Sequence, residues 1–175
     1  MMDKRLDEYI MAFRKKDYQM FDDFYALTSK SVYYSIISIV KDEDITADLM
    51  QDTYMNFLNK IEQYKFGSNV YAYLSRIGRN LSINYYNKYK KEIHSDLILE
   101  SIESNEKVFQ EDDIDILKLL NYLNQNQREV VVLHVINNFK FREIASIMDK
   151  PIGTILWIYS KAIKILKEKV GDQHE

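Results

Sequence analysis

The alternation of apolar and polar positions becomes regular at Asp44. From there Ala47, Met50, Tyr54, Phe57, Leu58 and Ile61 fall on one side of a helix at three-and-four spacing, with Asp44 as its N-cap. The other side carries Asp48, Gln51, Asp52, Asn56 and Asn59, an acidic and amide stripe that suits either a solvated face or a dock for a basic partner. A second long helix is predicted to begin near Ser68 or Asn69. Its core stripe is Val70, Leu74, Ile77, Leu81 and Tyr85, which turns Arg76, Asn80 and Asn87 outward between Arg79 and Asn84. Two amphipathic helices are expected at 113–124 and 127–137, with Leu117, Leu120 and Leu123, then Val130, Val131, Leu133 and Val135, as apolar positions.

Further on, Glu143-Ile144-Ala145 opens a short helix, Asp149-Lys150 breaks it, and Pro151 stands where the next helix begins. That is the grammar of a helix-turn-helix. Ala145 is small enough for a close helix crossing, and Asp149 tolerates the left-handed conformation that glycine usually supplies. On the final helix Ile152, Ile155, Tyr159, Ala162, Leu166 and Val170 line the predicted core side. Thr154, Trp157, Lys161 and Lys164 face outward.

Composition reinforces the helical reading. Only four glycines and one proline occur in 175 residues, too few for the turns a sandwich or barrel needs. With 46% hydrophobic residues the chain can bury one moderate core or two small ones. The fold class is therefore all-α. No cysteine is present, so disulfides and thiolate metal sites are excluded and a reducing cytoplasm suits the chain. The longest apolar runs, such as 32–40, are far short of the roughly 18 residues that span a bilayer, and the charged start does not resemble a signal peptide. No membrane insertion is expected.

Charge divides the chain. Residues 1–92 and 113–175 each carry a net +1, whereas 93–112 carry one base and six acids, so the net −3 belongs to a linker. The expected architecture is two small helical domains, 1–92 and 113–175, joined by a flexible acidic linker at 93–112, with the helix-turn-helix in the C-terminal domain. Between Lys65 and Lys91 there are six basic residues and no acid. Arginine and lysine neutralise phosphates, asparagine pairs with base edges, and aromatic rings stack on unpaired bases, so this acid-free segment reads as a nucleic-acid contact. There is no phosphate loop, no metal-spaced histidine set and no nucleophile motif. An enzyme is not expected, nor any metal or cofactor, and His94, His134 and His174 read as surface or packing residues.

Taken together, the two blocks resemble the sigma factors of bacterial RNA polymerase, in their small extracytoplasmic-function group. Residues 47–58, ADLMQDTYMNFL, resemble the family's polymerase-docking motif. Residues 72–88, AYLSRIGRNLSINYYNK, resemble its promoter-melting and minus-ten helix, and 142–155, REIASIMDKPIGTI, its minus-thirty-five reader. The resemblance implies a cytoplasmic protein that binds core RNA polymerase and directs initiation at promoter DNA, and it allows an anti-sigma factor as a further partner. It implies core-polymerase binding by Asp48, Gln51 and Asp52. It implies minus-ten contact by Phe66, Asn69, Arg76, Arg79, Asn80, Asn84, Asn87, Lys88 and Lys91. Minus-thirty-five contact falls to Arg142, Lys150, Thr154, Trp157, Lys161 and Lys164, with Trp157 offering apolar contact to thymine methyls. The acidic linker, by the same resemblance, occupies basic nucleic-acid channels of the polymerase until RNA displaces it.

This chain departs from the family pattern at several points. It has Asn84 and Asn87 where aspartate and arginine are common, and Tyr73 where tryptophan is frequent. Leu156, Ile158 and Ile163 are apolar where the recognition helix is commonly basic. Two rival readings stay open: a stand-alone helix-turn-helix regulator, and a polymerase-bound regulator with weak promoter reading.

Overall fold

The computed structural model describes residues 4–93 and 118–171 and places them in two compact units divided near residue 98. Among the described residues there is no strand, and no helix is long and apolar enough to cross a membrane. The predicted linker 93–112, apart from the backbone of Ile93, lies outside the described residues, as do Leu117, His94 and His174.

The first unit contains α1 (Lys4–Arg14), α2 (Phe21–Val40), α3 (Glu43–Asn59) and α4 (Val70–Ile93), with one 3-10 turn at Ile61–Gln63. Sequence periodicity did not mark out α1 or α2. The reason lies in α2, whose second half is buried at Tyr34, Ser35, Ile36, Ile37, Ser38 and Ile39 in succession and so presents no polar stripe. Helix α3 starts earlier than expected. Its N-cap is Asp42, not Asp44, and Asp42 Oδ1 accepts a hydrogen bond from the Ile45 amide at 2.8 Å. Ala47, expected in the core stripe, is exposed, and Thr46, Leu49 and Thr53 are buried instead.

Phe13, Phe24, Phe57 and Leu74 form the centre of this core, with Phe24 stacked on Phe57 at 5.5 Å between centroids. Its buried hydroxyls are satisfied locally. Thr28 donates to the Phe24 carbonyl (2.8 Å), so the Tyr54 hydroxyl, 2.8 Å away, donates to Thr28. Burial pushes the Tyr54 phenol well above its ordinary range, against the smaller opposing effect of the Thr28 bond.

Helix α4 packs on α2 and α3 through a seam of small residues. Ser75, Gly78 and Ser82 are buried, whereas Ile77, Leu81 and Tyr85 of the expected core stripe are only half-buried. Ser82 donates to the Gly78 carbonyl at 2.8 Å, so a hydroxyl fits the seam without an orphaned polar group. A Cβ on Gly78 would stand 3.0 Å from Ile36 Cγ1 and 3.2 Å from Thr53 Oγ1. Glycine here lets the three helices approach.

In the second unit residues 118–120 are helical and the chain then turns, ending the element expected to reach 124. Asn124 caps α5 (Gln125–Val131) in a reciprocal box with Gln127. Buried Arg128 donates through Nε to the Leu120 carbonyl (3.1 Å) and through Nη2 to that of Leu123 (2.8 Å), which ties the incoming chain to α5. Desolvation lowers its pKa, with the neighbouring Glu129 opposing. A π-helical turn, Val132–Ile136, follows and shifts the helical phase, so Val135, predicted apolar and inward, is exposed while Phe139 is buried.

Helices α6 (Phe141–Met148) and α7 (Ile152–Gly171) make the helix-turn-helix. Glu143 Oε2 accepts from the Lys140 amide at 2.8 Å to start α6, and Asp149 ends it at φ 52°, the left-handed turn the sequence anticipated. Pro151 stands just before α7, one residue earlier than expected, and its carbonyl accepts from the Thr154 amide. Two positions on α7 are corrected. Ile152 is exposed rather than core, and Ile158 is buried, which accounts for an apolar residue there. His134 is a packing residue, stacked on Phe141 at 4.2 Å with its Nδ1 2.9 Å from the Phe139 carbonyl.

Candidate functional site

Three solvent faces gather the residues singled out from sequence. The first is on α3. Asp48, Gln51 and Asp52 are all exposed, at i, i+3, i+4 spacing on one face, and neither carboxylate forms an ion pair among the described residues. Beside them runs an open groove of about 400 Å³ between α2 and α3, lined by Phe21, Tyr25, Tyr33, Ala47, Gln51 and Met55 among others. Met55 and Tyr25 are exposed there. The groove went unread in the sequence because it is assembled from two helices, one of which periodicity did not mark out.

The second face is the outer side of α4 with the loop before it. Arg76, Asn80, Asn84, Asn87 and Lys88 are exposed and Arg79 is half-buried. The side chain of Lys91 lies outside the described residues. Asn69 has a structural duty, its Oδ1 accepting from the Ala72 amide at 3.3 Å as the N-cap of α4. Phe66 projects from the loop, 44% exposed.

That loop is braced from three directions. Gly67 turns the chain at φ 84°, a value that favours glycine. The Tyr64 hydroxyl donates to the Ser68 carbonyl at 2.6 Å, and burial pushes its pKa up to about 12. From α1, Arg14 Nη2 donates to the Tyr64 carbonyl at 2.6 Å and more weakly to those of Ile61 (3.3 Å) and Glu62 (3.4 Å). Arg14 is a residue that sequence reasoning missed. Its partners lie 47 to 50 positions away, and no local pattern encodes such a contact.

The third face is on the helix-turn-helix. Arg142, Thr154, Trp157, Lys161 and Lys164 are exposed and Lys150 is half-buried. Trp157 does not fold into the core. It is 63% exposed, with Lys161 Nζ 5.9 Å from its ring.

Comparison with known proteins finds one family match in each part of the chain. The model of Sigma-70 region 2 matches residues 24–92, and that of Sigma-70, region 4 matches residues 113–155, together nearly two thirds of the chain. The ECF RNA polymerase sigma factor SigM of Bacillus subtilis (strain 168) is 29% identical over 133 residues, covering 73% of this chain and 81% of its own. SigW of the same organism is 22% identical over 98% of this chain and 100% of its own. Among solved structures, the sigma factor RpoE of Bartonella quintana, in complex with the anti-sigma factor NepR, superposes with a TM-score of 0.75 at 29% identity. That match covers 86% of this chain and 96% of the other.

Proposed function

Because the chain belongs to the sigma-70 family, as an extracytoplasmic-function sigma factor that binds core RNA polymerase and directs promoter-specific initiation, we propose that its three exposed faces divide that work. Asp48, Gln51 and Asp52 dock the polymerase. The outer face of α4 and the Phe66 loop hold the opened minus-ten strand, and the outer face of α7 with Arg142 and Lys150 contacts the minus-thirty-five duplex.

The observation that carries this division is the separation of charge by face. Unpaired carboxylates stand on α3, while Arg76, Asn80, Asn84, Asn87 and Lys88 crowd α4 with no acid among them. Carboxylates beside phosphates would repel them, and a basic partner needs acids to meet, so the two signs belong to two partners. The groove beside Gln51 supplies apolar area to the same dock. Domains of 1–92 and 113–175 carry these faces, and the acidic 93–112 between them runs in polymerase channels that otherwise hold nucleic acid. The protein acts in the cytoplasm by binding rather than by catalysis. An anti-sigma factor is a further partner, by likeness to the RpoE–NepR complex.

The test is binding of the full chain to core polymerase. Asp48→Arg and Asp52→Arg are each expected to weaken it by about two decades or more, with the melting temperature unchanged because both positions are exposed. Wild-type affinity in both variants overturns the docking assignment.

A further inference from the structure

The solvent side of α7 in its first turns carries three large apolar side chains and no charge. Ile152, Leu156 and Trp157 are 42, 46 and 63% exposed, while Ile155, Ile158 and Ala162 on the opposite side fill the core. By helical phase Gly153 sits between Leu156 and Trp157, and a Cβ built on it meets nothing within 4 Å. The face is open and shallow at its middle, which lets a partner approach the helix backbone closely.

From Ile152 to Ser160 there is no Arg, Lys, Asn, Gln, Asp or Glu. The bidentate pairs that identify guanine or adenine cannot be formed from this stretch. Its polar groups are the hydroxyls of Thr154, Tyr159 and Ser160, and the Tyr159 ring is packed against His134 and Phe141. Exposed lysines begin one turn later, at Lys161 and Lys164. Lysines flanking an apolar face suit a polyanion that carries apolar groups. In the major groove the apolar group is the C5-methyl of thymine.

We propose that α7 selects its minus-thirty-five element by thymine methyls, with Ile152, Leu156 and Trp157 as the specificity-determining residues and Lys161 and Lys164 fixing register on phosphates. At the base pairs this face reads, A·T pairs are preferred and G·C is barely distinguished from C·G. This rests on the assignment of α7 to the minus-thirty-five duplex.

The experiment uses the full chain bound to core polymerase and a pool of duplexes randomised in separate upstream and downstream blocks. Transcribed templates are expected to enrich A·T pairs, with thymines at adjacent positions, in the upstream block. Replacing each enriched thymine by uracil removes only the methyl, and is expected to lower transcription about fourfold per methyl. Leu156→Ala and Trp157→Ala should each weaken the thymine template and erase the uracil penalty at one position. Both positions are exposed, so the melting temperature should stay at the wild-type value. Uracil templates that run as well as thymine ones, or an upstream block enriched in G·C, overturn the inference and leave minus-thirty-five contact standing. Enrichment confined to the downstream block removes the contact itself and the inference with it. A chain that sediments as a dimer, and as a monomer once Leu156→Asp is made, assigns the face to a second copy and also overturns the proposal.

Discussion

The guanidinium carbon of Arg14 lies 4.4 Å from the centroid of the Phe66 ring. One side chain of α1 thus grips the loop ahead of α4 twice, by its hydrogen bond to the Tyr64 carbonyl and by its cation–π contact with the exposed ring. The rim of the proposed minus-ten face is held by the helix farthest from it in this unit's sequence.

Arg14→Ala is expected to lose a charged hydrogen bond at a half-buried site, about 1.5–3 kcal/mol of stability. It should also release Phe66. Open complexes probed for permanganate-reactive thymines should fall by more than the stability change alone produces at saturating protein. Arg14→Lys retains charge without the planar fork, so its effect should be intermediate. Wild-type thymine reactivity in Arg14→Ala removes the bracing role.

The Gly78 seam makes a second case. A valine there would overlap Ile36 and Thr53, and overpacking of this kind costs about 1–3 kcal/mol. Gly78→Ala should cost less, since alanine's helix propensity returns about 1 kcal/mol against a tighter contact. Thr53 follows Asp52 directly in sequence, so Gly78→Val is expected to weaken polymerase docking and promoter opening together. Chemical denaturation with parallel binding assays reads this. An unperturbed melting curve for Gly78→Val contradicts the packing account.

Salt dependence distinguishes the duties on α4. Replacing Arg76 or Lys88 by alanine should reduce the slope of log affinity against log salt by about 0.7–0.9 for each phosphate no longer neutralised, equally on all promoters. Asn80→Ala should instead change which minus-ten sequences are preferred and leave the slope alone. If all three variants keep both slope and preference, the outer face of α4 is only solvated.

Much of this was legible beforehand, for physical reasons that differ from element to element. Helices α3, α4 and α7 each have one solvent side, so periodicity found them, and Asp48, Gln51, Asp52, Arg76, Asn80, Asn84, Asn87, Lys88, Thr154, Trp157, Lys161 and Lys164 are exposed as expected. Periodicity failed where burial was nearly all round, as in the second half of α2, and where close packing required small residues, as at Ser75, Gly78 and Ser82. The π-helical turn displaced Val135, because one extra residue per turn breaks the 3.6 repeat. The Arg14 brace and the groove between α2 and α3 arise from pairs of elements, and one helix read alone contains neither.

The two sides of α7 differ in burial: Ile155, Ile158 and Ala162 are buried in their unit, while Ile152, Leu156 and Trp157 are exposed. Substitution on the outer side therefore costs little folding free energy, typically within about 0.5 kcal/mol. On the proposed reading of α7, promoter preference is free to drift under selection without threatening the fold. For the same reason α7 is a place to engineer mutually insulated transcription programmes by exchanging three exposed side chains.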